Sequence, residues 1–523
     1  MPTPAAPTSG TRGVDPDFLA LPLRAVADAA LQVARDARAE HADVRVHRLR
    51  SRALELRDAR VVSSSDTDRV GLAVRVLRGG VWGFAAHVDV TPATAAATAR
   101  RALEVATTLA AVARETVTLA PEPVHGDVTW VSDYEVDPFD VAEGDRIGLL
   151  AQRSSALLAA PAVDHVEAGL LEVKEQTFYA DLAGTVTTQQ RVRVDPGVGV
   201  TAVDRAGGGF ESLRTVAPPA GRGWEYLTGT GWDWDAELAA LPEMLTEKLR
   251  APSVDAGPTD LVIDPTNLWL VIHESIGHAT EYDRAIGYEA NYAGTSFATP
   301  DLLGTLRYGS DVLQVTGDRT VPHGLASVGY DDDGVATTEF DLIRDGVLVG
   351  YQVDRSFAPR LGLERSNGCA YADSAEHVPL QRMANVSITP AVDDVSTADL
   401  IGGVDDGIYV VGDRSWSIDM QRYNFQFTGQ RFYRIRDGEL AGQVRDVAYQ
   451  ATTTDFWGAL EAVGGPSTWR LGGAFTCGKA QPGQVAPVSH GCPSALFRGI
   501  NVLNTRQETE RSGARPDEAE GGR

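Results

Sequence analysis

Basic residues are scarce in this chain: 47 Lys and Arg stand against 72 Asp and Glu, a net charge of −25 over 523 residues. That deficit argues against direct contact with nucleic acid or an anionic membrane surface, which both need an excess of cations. No basic stripe or DNA-binding motif relieves it. Cysteine is scarce too, and three thiols in so long a chain do not make a disulfide framework. They fit a reducing compartment, where a thiol can be a core residue, a ligand or a nucleophile. No stretch approaches the roughly 18 uninterrupted apolar residues of a membrane span. The opening residues, MPTPAAPTSGTRGVDPD, lack the basic and apolar regions of a secretory signal and read as a flexible tail. The expected location is the cytoplasm.

What is present is the composition of a folded protein, 43% hydrophobic and 23% charged. The length calls for two or three domains. Residues 21–40 place Leu23, Ala27, Ala30, Leu31 and Ala34 on one helical face. Two short strands are expected at DVRVHRLR and ALELRD, then a hairpin turning at Gly79-Gly80 and an Ala-rich helix near 92–113. Residues 160–215 alternate as strands, and the helix near 234–250 carries Pro242, expected to kink or break it. The second half is β-rich, with Asp345-Gly346 and Asp437-Gly438 each suited to a tight hairpin. The expected architecture is α+β. It has a tail at 1–18, an N-terminal α/β domain at 19–250, a β-rich C-terminal domain at 256–508 and a disordered tail at 509–523.

The most specific stretch is NLWLVIHESIGHATEYD, residues 267–283. Asp264-Pro265 supplies a helix start, with Asp264 as N-cap and Pro265 at the first position. His273 and Glu274 then lie two turns inside a helix that is apolar all round at its beginning, and therefore buried. A buried Glu beside a buried His is costly unless something compensates it, and a metal ion would do so. The obstacle is spacing. His273 and His278 are five apart, and in a regular α-helix they would point about 140° away from each other. A π-bulge would return them to one face. Alternatively, the helix could loosen at Gly277, where the backbone is permissive. A catalytic zinc site also needs about three protein ligands and an open position. Spacing leaves the third ligand open among Cys369, Cys477, Cys492, His490, Glu281 and Asp283.

With these residues in hand, the chain resembles the TldD/PmbA metalloprotease family, whose members are also labelled modulators of DNA gyrase. Within the family it is most similar to the TldD branch, which carries the metal motif. HESIGHATEYD corresponds to the family's HExxxH helix. SVGYDDDGVATTEFDLIRDGVLVGYQVDR resembles its strand pair, and SNGCAYADSAEHVPLQRMANVSITP its Arg-Met-x-Asn segment. TCGKAQPGQVAPVSHGCPS resembles its Cys-Gly-Lys loop, and GLAVRVLRGGVWGFAAH also fits. The resemblance implies a zinc ion held by His273, His278 and Cys477, with Glu274 as general base and Cys369 and Cys492 as bystanders. Cys369 falls where relatives often carry a basic residue.

The resemblance further implies a peptidase acting on unfolded or flexible peptides, working with a homologous TldE-like subunit; a homodimer stays open. An extended peptide could add to a free strand edge, for which the Gly-bearing strands at 323–352 are the expected place. Two rival readings are a non-catalytic peptide-binding or scaffolding subunit with a closed structural zinc site, completed by His490 or Cys492, and a zinc hydrolase of small amides.

Overall fold

The computed structural model describes residues 13–205 and 208–508. The expected tails therefore lie outside the described residues at 1–12 and 509–523. Residues 13–18 are placed, however: they lead into a helix at Pro16–Leu19, and Phe18 is fully buried.

The N-terminal half is one seven-stranded sheet. Its order is Val81–His87, Arg60–Arg78, His41–Arg57, His165–Asp181, Val186–Asp204 and Asp127–Val131, with Gly209–Arg214 also on Val186–Asp204. All pairings are antiparallel except that of Asp127–Val131. The two short strands expected before residue 58 are one strand of 17 residues. Its polar middle does not break it, because Arg48 and Arg50 reach across to Asp68 and Asp66 on the next strand. The face that suggested a helix at 21–40 is the buried face of Leu23–Asp36.

A second helix, Pro92–Ala110, is closed at its start by a Thr91/Thr94 capping box. It presents Ala95, Ala99, Ala102 and Ala106 to the sheet, and these small side chains let the backbones approach closely. A Cβ on Gly83 would fall 1.9 Å from the Ala102 carbonyl, so only glycine fits there. Trp234–Arg250 runs through Pro242 as a single helix, rather than as two shorter ones.

From residue 257 onward the strands belong to other sheets. Gly257–Ile263 lies between Asp406–Ile418 and Ala495–Asn504, followed by Val447–Thr452, Asn424–Arg436 and Glu439–Val444. Asp406–Ile418 also pairs with Asn424–Arg436, so five of these strands close into a ring. Closure removes free edges and encloses a core of Phe425, Phe427, Tyr449, Phe456 and Phe497. Both Asp-Gly pairs turn hairpins with positive φ at each position, 49° and 71° at Asp345-Gly346 and 48° and 78° at Asp437-Gly438. The two halves meet through buried ion pairs, Arg45 to Asp332 at 2.8 Å and Arg75 to Asp333 at 2.7 Å. No helix among the described residues is long and apolar enough to cross a membrane.

Candidate metal centre

The central strand Gly257–Ile263 delivers the chain to Asp264, whose carboxylate accepts from the Thr266 N–H at 3.0 Å and caps the helix Pro265–Ile272. Every residue from Leu268 to Ile272 is buried. The helix then widens into one π-turn, His273–Gly277, in which the His278 N–H donates to the His273 carbonyl at 3.0 Å. This wider turn brings the two imidazoles together, with ring centroids 4.7 Å apart. Of the two ways round the five-residue spacing, the chain uses the π-turn.

Gly277 serves packing rather than backbone freedom. A Cβ there would sit 2.7 Å from the Met383 sulfur and 3.4 Å from the His490 ring. Carbonyls along the turn find other donors: Gln352 Nε2 donates to Gly277 at 2.8 Å, and the Tyr308 hydroxyl donates to Ser275.

His273, His278 and Cys477 bring one potential ligand atom each to within 4.8 Å of one another, all buried. Cys477 Sγ lies 3.7 Å from His278 Nε2. The far side of each imidazole fixes which nitrogen faces inward. His490 donates through Nδ1 to the Val386 carbonyl at 2.9 Å, which leaves its Nε2 to accept from His273 Nδ1 at 2.7 Å. His273 Nε2 therefore carries a lone pair. Similarly, His278 Nδ1 donates to Glu281 Oε2 at 2.9 Å and keeps Nε2 free. Burial holds both imidazoles below their ordinary pKa, and so neutral, the form that binds metal. Burial also pushes the Cys477 thiol up, and the Arg382 guanidinium is among the charges that leave it below its usual range. Two neutral imidazoles and one acidified thiol fit a zinc ion.

Beneath His278 is a charged support. Glu281, held ionised against burial by Lys479, His278 and Arg284, accepts from Arg284 Nε and Lys479 Nζ at 3.1 Å each. Lys479 also reaches Asp283 at 2.8 Å and the Gln381 carbonyl at 2.7 Å. It thus ties the strand bearing Cys477 to the segment that follows His278. Sequence reasoning gave Lys479 no role and took His490 as a candidate ligand rather than as the partner of His273. Period 2 along a strand puts Lys479 on the face of Cys477, a signal that was there to read. Glu281→Gln is expected to weaken metal binding roughly 10- to 100-fold, the usual cost of losing a partner behind a ligand. Competition with a chelator measures it, and unchanged affinity would remove Glu281 from this role.

Glu274 is 5% exposed and points at Arg422, whose Nη1 donates to its Oε2 at 2.8 Å. Arg422 was not foreseen. It sits at φ 62° in a turn held by Asp419, which accepts from the Tyr423 N–H at 2.9 Å, and its Nη2 donates to the Ala293 carbonyl at 3.2 Å. The remaining candidates lie elsewhere. Cys369 Sγ is 4.0 Å from the Asn367 carbonyl, with its thiol pushed up to about 12 by burial. Cys492 Sγ is 3.7 Å from the Pro265 carbonyl, and Asp283 is taken by Lys479.

His273, Glu274, His278 and Cys477 line one wall of a cleft of about 960 Å³ between the two halves of the chain. Leu471–Gly478, the stretch that carries Cys477, continue that wall, and Gly169, Leu171, Asp195 and Gly197 contribute from the N-terminal sheet. Among the described residues, the strand Arg470–Lys479 pairs only with Gln484–Cys492, so its other edge is free. Residues 471–478 of this strand line the cleft beside the His273, His278 and Cys477 cluster.

Residues 256–504 match the PmbA/TldA metallopeptidase C-terminal domain, and residues 42–106 match domain 1 of the same family. The chain belongs to the PmbA/TldD metallopeptidase family. Among PmbA/TldD relatives, a metalloprotease of Methanothermobacter thermautotrophicus is 28% identical over 504 residues, covering 94% of this chain and all of that one. A zinc metalloprotease TldD homolog of Saccharolobus solfataricus is 27% identical over 272 residues, 52% of this chain and 57% of its own length. The crystal structure of TldE from Thermococcus kodakarensis shares the fold, with a TM-score of 0.67 at 15% identity over 91% of this chain and 99% of that one.

Proposed function

We propose that this chain is a zinc-dependent peptidase that hydrolyses peptide bonds in unfolded or flexible peptides. The observation that carries the reading is the meeting of two imidazole lone pairs and an acidified thiol beside a carboxylate, on the wall of a large cleft. In this reading His273, His278 and Cys477 hold the ion and Glu274 stays free of it. A bound zinc ion would supply Lewis acidity, acidifying a water and stabilising negative charge on a carbonyl oxygen.

Glu274 accepts the proton of the attacking water at its carboxylate and returns it to the leaving amine. Arg422, 2.8 Å away, holds that carboxylate in one orientation. The His490 and Glu281 hydrogen bonds keep both imidazoles turned with Nε2 inward. The scaffolding alternative needs a fourth protein ligand to close the site. Both ring nitrogens of His490 are engaged, and Cys492 lies against Pro265, which favours an open position.

An extended peptide would add to the free edge of Arg470–Lys479, backbone to backbone. Such binding reads few side chains and excludes folded proteins. The fold likeness to TldE supports action as the catalytic subunit of a TldD/TldE-type assembly, with a homodimer as the other arrangement. The three cysteines, all free thiols, fit the cytoplasm. The test is a set of unfolded peptides offered to the zinc-loaded protein, with and without N-methyl groups on the backbone amides. Unmethylated peptides should be cut and methylated ones should resist. Equal rates would remove the edge-strand mode, and absence of turnover on any peptide would favour the scaffold.

A further inference from the structure

The floor of the cleft has a composition the proposed chemistry leaves unexplained. Along Val186–Asp204, alternate residues Val194, Val198 and Val200 pack into the core beneath the helices Glu143–Leu158 and Trp234–Arg250. Period 2 then turns Asp195, Gly197 and Gly199 to the opposite, cleft-facing side. On the neighbouring strand Leu171, Gly169 and Glu167 stand across from them. A Cβ built on Gly169 or Gly197 would meet nothing within 4 Å. Neither glycine has positive φ, so no turn demands it. Glycine in mid-strand weakens a sheet, and it marks places where another backbone or a ligand comes close.

Two carboxylates border this bare floor, the exposed Glu167 across from Gly199 and Asp195 across from Leu171. The Asp195 side chain makes no hydrogen bond or ion pair among the described residues. Arg214 is near enough to act on it electrostatically, but its guanidinium is turned to the Asp413 carboxylate and carbonyl, and Asp413 itself repels Asp195. Burial pushes Asp195 up to about 6, as expected of a carboxylate partly withdrawn from water without a counterion. An uncompensated carboxylate in a ligand-sized cleft is costly until a cation joins it.

We infer that Asp195, above the Gly169/Gly197 floor, is a subsite for a cationic group of the substrate peptide, an alkylammonium or guanidinium. This rests on the peptidase reading for the identity of the ligand. The cation would come from a Lys or Arg side chain or from the peptide's own N-terminus.

Binding to the zinc-loaded, full-length Glu274→Gln variant tests it without turnover. The probes are fluorescent unfolded peptides of one length: one carrying a single Lys, the same peptide with norleucine there, and N-acetylated forms of both. The Lys peptide, or the free N-terminus, should bind roughly tenfold tighter than its uncharged counterpart, as suits a charge-assisted hydrogen bond. Preference lost on acetylation assigns the N-terminal ammonium, and preference lost with norleucine assigns the side chain. Added to this background, Asp195→Asn should bring the charged-to-neutral ratio to about one, and Asp195→Glu should restore it. Gly197→Ala, whose Cβ meets no protein atom within 4 Å, should weaken all the peptides by raising the floor.

An unchanged ratio in Asp195→Asn would overturn the inference. So would equal loss of all binding in Asp195→Asn and Asp195→Glu, which would make Asp195 a structural residue. Charge preference in Glu274→Gln together with no hydrolysis of any of these peptides by the zinc-loaded wild-type protein would overturn the peptidase reading alone.

Discussion

Glu274→Gln is expected to abolish peptide hydrolysis while leaving zinc bound. Glutamine keeps the size of the side chain and can still accept from Arg422 through its amide oxygen, so the turn around His273 has no reason to move. The two imidazoles owe their orientation to His490 and Glu281, whereas the hydrogen bond to Glu274 comes from Arg422. What disappears is the capacity to take a proton from water. General-base catalysis contributes about 10²- to 10⁴-fold, and a primary amide cannot substitute at neutral pH. The measurement is peptide cleavage beside metal content on the same preparation. Normal hydrolysis would end the assignment of Glu274 as base. Loss of metal together with activity would make Glu274 part of the binding shell instead.

Much of the local structure was legible because its causes are local. Asp264 and Pro265 start the helix that leads to His273 for the reasons such residues start helices. Asp345-Gly346 and Asp437-Gly438 take the left-handed conformations that their hairpins require. The His273/His278 spacing was informative because it is wrong for a regular helix. Two buried histidines five apart need a π-turn to share a face, and the chain forms one.

What could not be read depends on contacts between distant segments. Cys369, Cys477 and Cys492 are equivalent as letters. Only the fold places Cys477 beside His278, 199 residues away, and puts Cys492 against Pro265, so resemblance to a family rather than spacing pointed to Cys477. Arg422 reaches Glu274 from 148 residues away, out of a turn whose left-handed backbone no arginine advertises. The long strand His41–Arg57 was read as two, and nothing local shows that its arginines have partners across the sheet. Their partners, Asp66 and Asp68, become visible only once the strands pair. Strand edges depend on pairing too: the glycines at 323–352 drew the expectation there, and the unpaired edge of a strand that lines the cleft beside His273, His278 and Cys477 is visible only once Arg470–Lys479 pairs with Gln484–Cys492.

The second large effect concerns the ligands themselves. Wild-type protein supplied with zinc should hold about one ion per chain, and His273→Ala or Cys477→Ala should reduce this to near zero. The site offers three donors and no spare. His490, the nearest other imidazole, has Nδ1 on the Val386 carbonyl and Nε2 on His273, and it packs flat against Trp269 at 6.4 Å. To replace Cys477 it would have to release His273, and to replace His273 its ring, fixed by Val386 and Trp269, would have to move within a fully buried pocket. The Glu281 carboxylate is equally committed to His278, Arg284 and Lys479. Cys369→Ala is the matched control. It removes a buried thiol pushed up to about 12 and lying near Asn367, and it should leave the metal in place. Metal loss in Cys369→Ala equal to that in Cys477→Ala would mean that thiol substitution disturbs folding generally. Zinc retained by Cys477→Ala would move the third ligand away from the Cys-Gly-Lys strand, and with it the reason for Lys479 to be tied to Glu281.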